Sequence, residues 1–201
     1  MNMSAQDVAP DPERIRALQE AAPPASKKEV MSFLYMVQSF SEFIPTLSRR
    51  TTHLRELTQK NVRFSWSRQC QSEFEDLRSA IREGITLNHF QVGKPMYIYV
   101  DAHKSGLSAM LAQGDKAHSS KIVACASRAT TPVERRYPQL DLEAPAIDFA
   151  LRRYRQHLVG GCPVTIITDH KPLVSVLGST TTGSILTDRI QLRHQNTYKV
   201  E

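Results

Sequence analysis

Three acids, Asp101, Glu143 and Asp169, stand beside apolar segments where a charge needs a reason. Asp101 follows Met96-Tyr-Ile-Tyr-Val100, whose β-branched and aromatic residues suit a pleated, buried surface. Asp169 closes Val164-Thr-Ile-Ile-Thr168, a continuous run of the kind found in strands covered on both faces. Glu143 lies one helical turn before Ile147, so the spacing that buries Ile147 turns Glu143 inward. Each acid also has an ordinary alternative. Asp101 would open a turn through Ala102-His-Lys-Ser-Gly106, Glu143 would sit exposed in a first turn favoured by the helix dipole, and Asp169 would cap a short helix containing Pro172. Taken together, two strands ending on Asp and a helix crossing them with an inward Glu would gather three carboxylates at one spot, strand order permitting. Their repulsion would require divalent metal. Oxygen-only donors favour Mg²⁺ or Mn²⁺ over zinc, and two such ions about 4 Å apart can activate water and stabilise a leaving oxygen in phosphodiester cleavage.

The elements that would position these acids read as two units. From about residue 11 to 86 the periodicity is helical. Asp11 with Pro12 starts one helix. Ser26-Lys-Lys-Glu29 is a capping box, leading into a helix with Val30, Phe33, Leu34, Val37 and Phe40 on one face and Pro45 as its stop. Ser67 caps another, with Cys70, Phe74, Leu77 and Ile81 on one face and Gly84 at its end. After about Leu87 the period shortens. Residues 96–101, 107–113 and 121–127 form an antiparallel meander, and a helix from about Gln139 to Leu158 buries Ile147, Ala150, Leu151, Tyr154 and Leu158 and ends at Gly160-Gly161. The buried run 164–168 follows, then a short helix at Pro172, an amphipathic helix from Ile185 to His194, and a strand from Thr197 to Glu201.

Composition sets broad limits. The chain has 201 residues, enough for one domain or two small ones, and a formal charge of +6, which fits a polyanionic partner without requiring one. Cys70, Cys125 and Cys162 are odd in number and far apart, as expected for a reducing compartment rather than a disulfide or CxxC framework. No apolar stretch long enough to span a membrane and no signal-peptide pattern is present, so a soluble, unsecreted, intracellular protein is expected. His103, His118, His157, His170 and His194 show no paired metal spacing. GxSxG, Walker and GxGxxG patterns are absent, so acyl transfer and nucleotide cradling have no support.

Several segments resemble a known family. Val100-Asp101-Ala102 with Gly106 to Leu111, Ala126-Ser127-Arg128, the helix after Tyr137, and Thr168-Asp169-His170-Lys171-Pro172-Leu173 are similar to the ribonuclease H domain of gypsy-type LTR retrotransposon and retroviral reverse transcriptases. Ala9-Pro10-Asp11-Pro12, Lys28-Glu29-Val30 with Ser32-Phe33-Leu34, Phe43-Ile44-Pro45, and Phe64-Ser65-Trp66 with Phe74 resemble the thumb and connection region preceding it. The resemblance implies an α+β or α/β architecture: a helical unit over residues 1–90, then a mixed five-stranded sheet flanked by helices over 91–201. It implies cleavage of the RNA strand of an RNA/DNA hybrid with two Mg²⁺ (or Mn²⁺) ions held by Asp101, Glu143 and Asp169, and an upstream polymerase domain of the same polyprotein as partner. The family's fourth acid lies on a helix after the last strand, and none precedes Glu201. The expected site therefore has three of four acids, with impaired activity or a catalytically inactive nucleic-acid-binding relic as the outcomes. Pro145 is expected in the first turn of the Glu143 helix, where it costs no hydrogen bond, and Ser108 takes a place that is usually Gly.

Overall fold

The computed structural model describes residues 2–3, 7–83, 87–159, 164–168 and 198–200. Asp169, Cys162, Gly84, Gly160-Gly161 and the helices expected at Pro172 and at 185–194 lie outside them. The chain opens with β1 (Asn2–Met3) and β2 (Asp7–Ala9), which pair antiparallel with β3 (Leu87–Asn88) in a small sheet not expected from the sequence. Strands this short carry no periodicity, so only their tertiary pairing marks them.

Among the described residues, five helices lie between β2 and β3. They are α1 (Pro12–Gln19), α2 (Lys27–Gln38), α3 (Leu47–Arg50), α4 (Thr52–Leu57) and α5 (Arg68–Glu83). Their starts follow local chemistry. The Asp11 carboxylate accepts the Glu13 N–H at 3.1 Å, and Ser67 Oγ accepts the Cys70 N–H at 3.2 Å. At α2, Ser26 Oγ accepts the Glu29 N–H at 3.3 Å, while Glu29 reaches past the cap to accept the Ala25 N–H at 2.8 Å. The α2 helix stops at Gln38, well before Pro45. Past Ser39 the chain tightens into i→i+3 turns such as Phe40 N–H to Val37 C=O at 3.0 Å, and these turns bury Phe40, Phe43 and Ile44. The helical core centres on Phe74, fully buried, with the Phe33 ring 4.8 Å away.

The larger sheet contains β4 (Met96–His103), β5 (Gly106–Gln113), β6 (Lys121–Ala129), β7 (Val164–Ile167) and β8 (Tyr198–Val200), in the order β6-β5-β4-β7-β8. β4 is antiparallel to β5 and parallel to β7, and β7 is parallel to β8, so the sheet is mixed as expected. The parallel step from β6 back across to β7 requires a long crossover. It is supplied by α6 (Gln139–Arg153) and α7 (Arg155–Leu158), which the sequence reads as one helix and the structure breaks at Tyr154. The Tyr154 hydroxyl lies 2.9 Å from Ala109 O and 3.1 Å from Ala124 O, tying the break to β5 and β6, and burial raises its pKa.

Leu142, Ala146, Ile147 and Ala150 of α6 pack on Ile98, Val100 and Leu107 in a second core. α3 covers β5 and β6, with the Ser48 N–H on Ser127 Oγ at 3.0 Å. Gly106 is needed there, because a Cβ would collide with the Ser48 side chain. The Glu42 carbonyl accepts the Cys125 N–H at 3.0 Å, which blunts the exposed edge of β6. Among the described residues no helix is long and apolar enough to cross a membrane.

Candidate active site

Asp101 is not a turn residue. β4 runs two residues beyond it to His103, and Asp101 pairs with Ser108 in the ladder. The hairpin closes at His103 opposite Gly106, leaving Lys104 and Ser105 as a two-residue loop. Alternation along β4 buries Met96, Ile98, Val100 and Ala102 in the α6 core and places half-buried Tyr97, Tyr99 and Asp101 on the other face. The two tyrosines lean over the loop after β5, with Tyr99 Oη 2.6 Å from Ala117 O and Tyr97 Oη 3.3 Å from Asp115 O. Ser108 and Ser127 continue the Asp101 row across β5 and β6 toward Ser48.

The β4–β7 ladder ends at Tyr99 opposite Ile167. Both strands therefore run out in one direction, and Asp101 sits just past the last pair, at the carboxyl end of two parallel strands. Open α/β sheets place their ligand sites at such ends. Along β7, Val164 and Ile166 are buried while Thr165 and Ile167 are half-buried, so within the described residues this strand alternates rather than being covered on both faces.

Glu143 is 2% exposed, among buried Leu142, Ala144 and Ala146. Its inward direction follows the helical spacing to Ile147, and the exposed first-turn alternative does not hold. Burying a carboxylate is costly even when it is paired, because its water must be given up. Pro145 departs from expectation, standing seventh in α6 rather than in the first turn. Its missing N–H removes the bond that would go to the Asp141 carbonyl.

The structure thus places Glu143 inside the α6–sheet layer and Asp101 on the opposite face of β4 at the strand ends. The third expected acid, Asp169, is outside the described residues. Among the described residues no group of three or more His, Cys, Asp or Glu side chains is arranged to hold a metal ion. Sequence reasoning missed a polar network beside the site, formed by Arg128, Thr130, Thr131 and Glu134. Its detectable sign was Thr131-Pro-Val-Glu134, a Thr-x-x-Glu spacing of the same capping-box kind as Ser26-Lys-Lys-Glu29.

The family described as "RNase H-like domain found in reverse transcriptase" matches residues 66–166. The retrovirus-related Pol polyprotein from transposon opus of Drosophila melanogaster is 29% identical over 88% of this chain and 19% of its own length. The corresponding polyprotein from transposon 412 is 29% identical over 94% of this chain and 15% of its own. The Tf2-3 transposon polyprotein of Schizosaccharomyces pombe is 27% identical over 86% of this chain and 13% of its own. The chain therefore spans less than a fifth of the length of these relatives. Among solved structures, the foamy viral protease-reverse transcriptase dRH in complex with double-stranded DNA superposes over 96% of this chain and 35% of its own, with TM-score 0.73 at 16% identity. The foamy viral protease-reverse transcriptase in complex with RNA/DNA hybrid does so over 95% of this chain and 27% of its own, with TM-score 0.70 at 18% identity. At these identities the likeness is one of fold.

Proposed function

Because the chain belongs to the family of RNase H-like domains found in reverse transcriptases, we propose that it is the ribonuclease H segment of a retrotransposon polyprotein and hydrolyses the RNA strand of RNA/DNA hybrids. The observation that carries this reading is Glu143, 2% exposed on the helix that crosses β4, with Asp101 at the carboxyl end of that strand. A domain boundary near residue 90 separates a helical thumb- and connection-like unit (1–90) from the ribonuclease H-like unit (91–201), in keeping with their separate apolar cores.

The donor chemistry fits a hard divalent cation: two carboxylates, Glu143 buried and Asp101 half-buried, with the exposed His103 two residues further along the Asp101 face of β4. Asp101 and Glu143, with Asp169 as the third ligand, would hold Mg²⁺ or Mn²⁺. Two bound ions would supply an activated water and charge stabilisation at the leaving oxygen. The protein's own part is to fix Asp101 in the β4–β5 ladder and Glu143 in a packed helix, so that neither must reorganise when substrate arrives.

Hybrid recognition would rest on the 2′-hydroxyl and minor-groove shape rather than on sequence, with affinity falling as salt rises. The partners proposed are an RNA/DNA hybrid and the polymerase domain of the same polyprotein, in an unsecreted, intracellular setting. The test is Mg²⁺-dependent cleavage of a hybrid labelled on the RNA strand. Impaired, weak cutting is expected of the full chain, and Asp101→Asn should lose it. Equal cutting by the variant would overturn the assignment, and salt-sensitive binding without cleavage in Mg²⁺ or Mn²⁺ would replace it with an inactive hybrid-binding module.

A further inference from the structure

The start of α6 is weakly held by its own chemistry. Its N-cap, Pro138, makes no side-chain capping bond, and Pro145 removes the bond to the Asp141 carbonyl. Glu143 lies between these two defects. Something outside the helix must fix this segment if Glu143 is to stay in one place.

Leu142 and Ala146 anchor one face of this segment in the sheet core, and a polar support lies one connection upstream. Arg128, at the end of β6, makes a two-pronged ion pair with Glu134, Nη1 to Oε2 at 2.8 Å and Nη2 to Oε1 at 2.7 Å. Paired charges in this fork geometry are the strong, orienting kind. Glu134 also accepts the Thr131 N–H at 2.7 Å, and Thr131 Oγ1 accepts the Glu134 N–H at 3.2 Å. From Glu134 the backbone continues inward, Tyr137 N–H on the Glu134 carbonyl at 2.9 Å and then Asp141 N–H on the Pro138 carbonyl at 3.0 Å. The network reaches the other side of the site as well. Thr130 Oγ1 donates to the Lys104 carbonyl in the hairpin loop that follows Asp101. The Arg128 guanidinium lies 5.6 Å from the centre of the Phe149 ring of α6.

We propose that the Arg128–Glu134 clamp, joined to the β4–β5 hairpin through Thr130, is a positioning device that fixes the first two turns of α6 and thereby Glu143 relative to the Asp101 strand. This rests on reading Glu143 as a metal-holding acid, but the positional effect can be measured without any activity. Neither residue touches substrate in this account.

Hydrogen exchange on the full chain tests it. In Glu134→Gln, amides of residues 140–144 are expected to exchange roughly ten-fold faster, the loss of one charged hydrogen-bond pair, while amides of β4 and β5 keep their wild-type rates. The Mg²⁺ concentration for half-maximal hybrid cleavage should rise with the hybrid KM unchanged. Arg128→Lys, which keeps the charge but loses the fork, should fall between wild type and Glu134→Gln, and it serves as the readout should Glu134→Gln not fold. The exchanged pair Arg128→Glu with Glu134→Arg should restore protection in part, since the ion pair returns but the acceptor for the Thr131 N–H does not. Unchanged exchange at 140–144, or equal acceleration there and in β4 and β5, would overturn the proposal. Exchange that follows the prediction in a protein that cuts no hybrid would keep the clamp and remove the nuclease reading instead.

Discussion

The helical and sheet units use their acids differently. In the helical unit carboxylates hold elements together at or near the surface. Thr51 gives α4 no side-chain cap, and Glu73 of α5 fills the role, accepting the His53 and Leu54 N–H groups at 3.0 Å each and pairing with the His53 ring at 2.7 Å. Asp76 meets Arg50 at 3.1 Å. The exposed Glu29 is held below its usual carboxylate range, chiefly by the Ala25 N–H. In the sheet unit Glu134 plays the same structural part, but Glu143 is buried in the packing layer and Asp101 is set in mid-ladder, where neither caps a helix. That placement, outside any helix cap, is what motivates the proposed chemical role of Glu143 and Asp101.

The contrast can be broken by deletion. Phe74→Ala is expected to cost about 3–5 kcal/mol by opening the helical core, and hydrogen exchange should show α2 and α5 losing protection while β4 and β5 keep theirs. Equal loss in both would mean one cooperative unit. Glu73→Gln removes a charged cap from two amides and should lower stability by about 1.5–3 kcal/mol in urea titration. Glu143→Gln is its counterpart. It is expected to cost less than Glu73→Gln, because the neutral amide keeps the side chain's shape and hydrogen-bonding capacity while the desolvation of a buried charge is removed. A loss as large as that of Glu73→Gln would make Glu143 a structural acid.

Acid titration sharpens the comparison further. The hydrogen bonds from Arg128 hold Glu134 at about 2, against an ordinary 4.5. A depressed carboxylate contributes stability above its unfolded value, so this contribution is present above about pH 4.5 and is lost as pH falls toward 2. Glu134→Gln should remove that part of the acid sensitivity, seen as a shallower fall in stability over this window.

Much of this was legible in residue order. Period and capping signals located α1, α2, α5 and the three strands of the meander, and helical spacing alone turned Glu143 inward. Misreadings came where distant contacts decide. The α2 helix ends at Gln38 because three aromatic and aliphatic side chains find their core in tight turns, and Pro45 is not needed. For Asp101 the turn alternative rests on Asp, Ser and Gly lying close together, and its pairing with Ser108, which keeps it in the strand, excludes that alternative. The Glu73 cap on α4 joins residues about twenty positions apart, beyond any local pattern. Pro145 falls later in α6 than residue order predicts, because the start of the helix has no side-chain cap to mark it.

The most direct test of the central claim is a Mn²⁺ titration of the isotopically labelled chain followed by amide NMR. Saturable paramagnetic broadening is predicted around Val100–Ala102 and Leu142–Ala144 in the wild type, and its loss in Asp101→Asn and Glu143→Gln. Broadening elsewhere, or unchanged in both variants, would contradict the assignment of these two acids as a metal site.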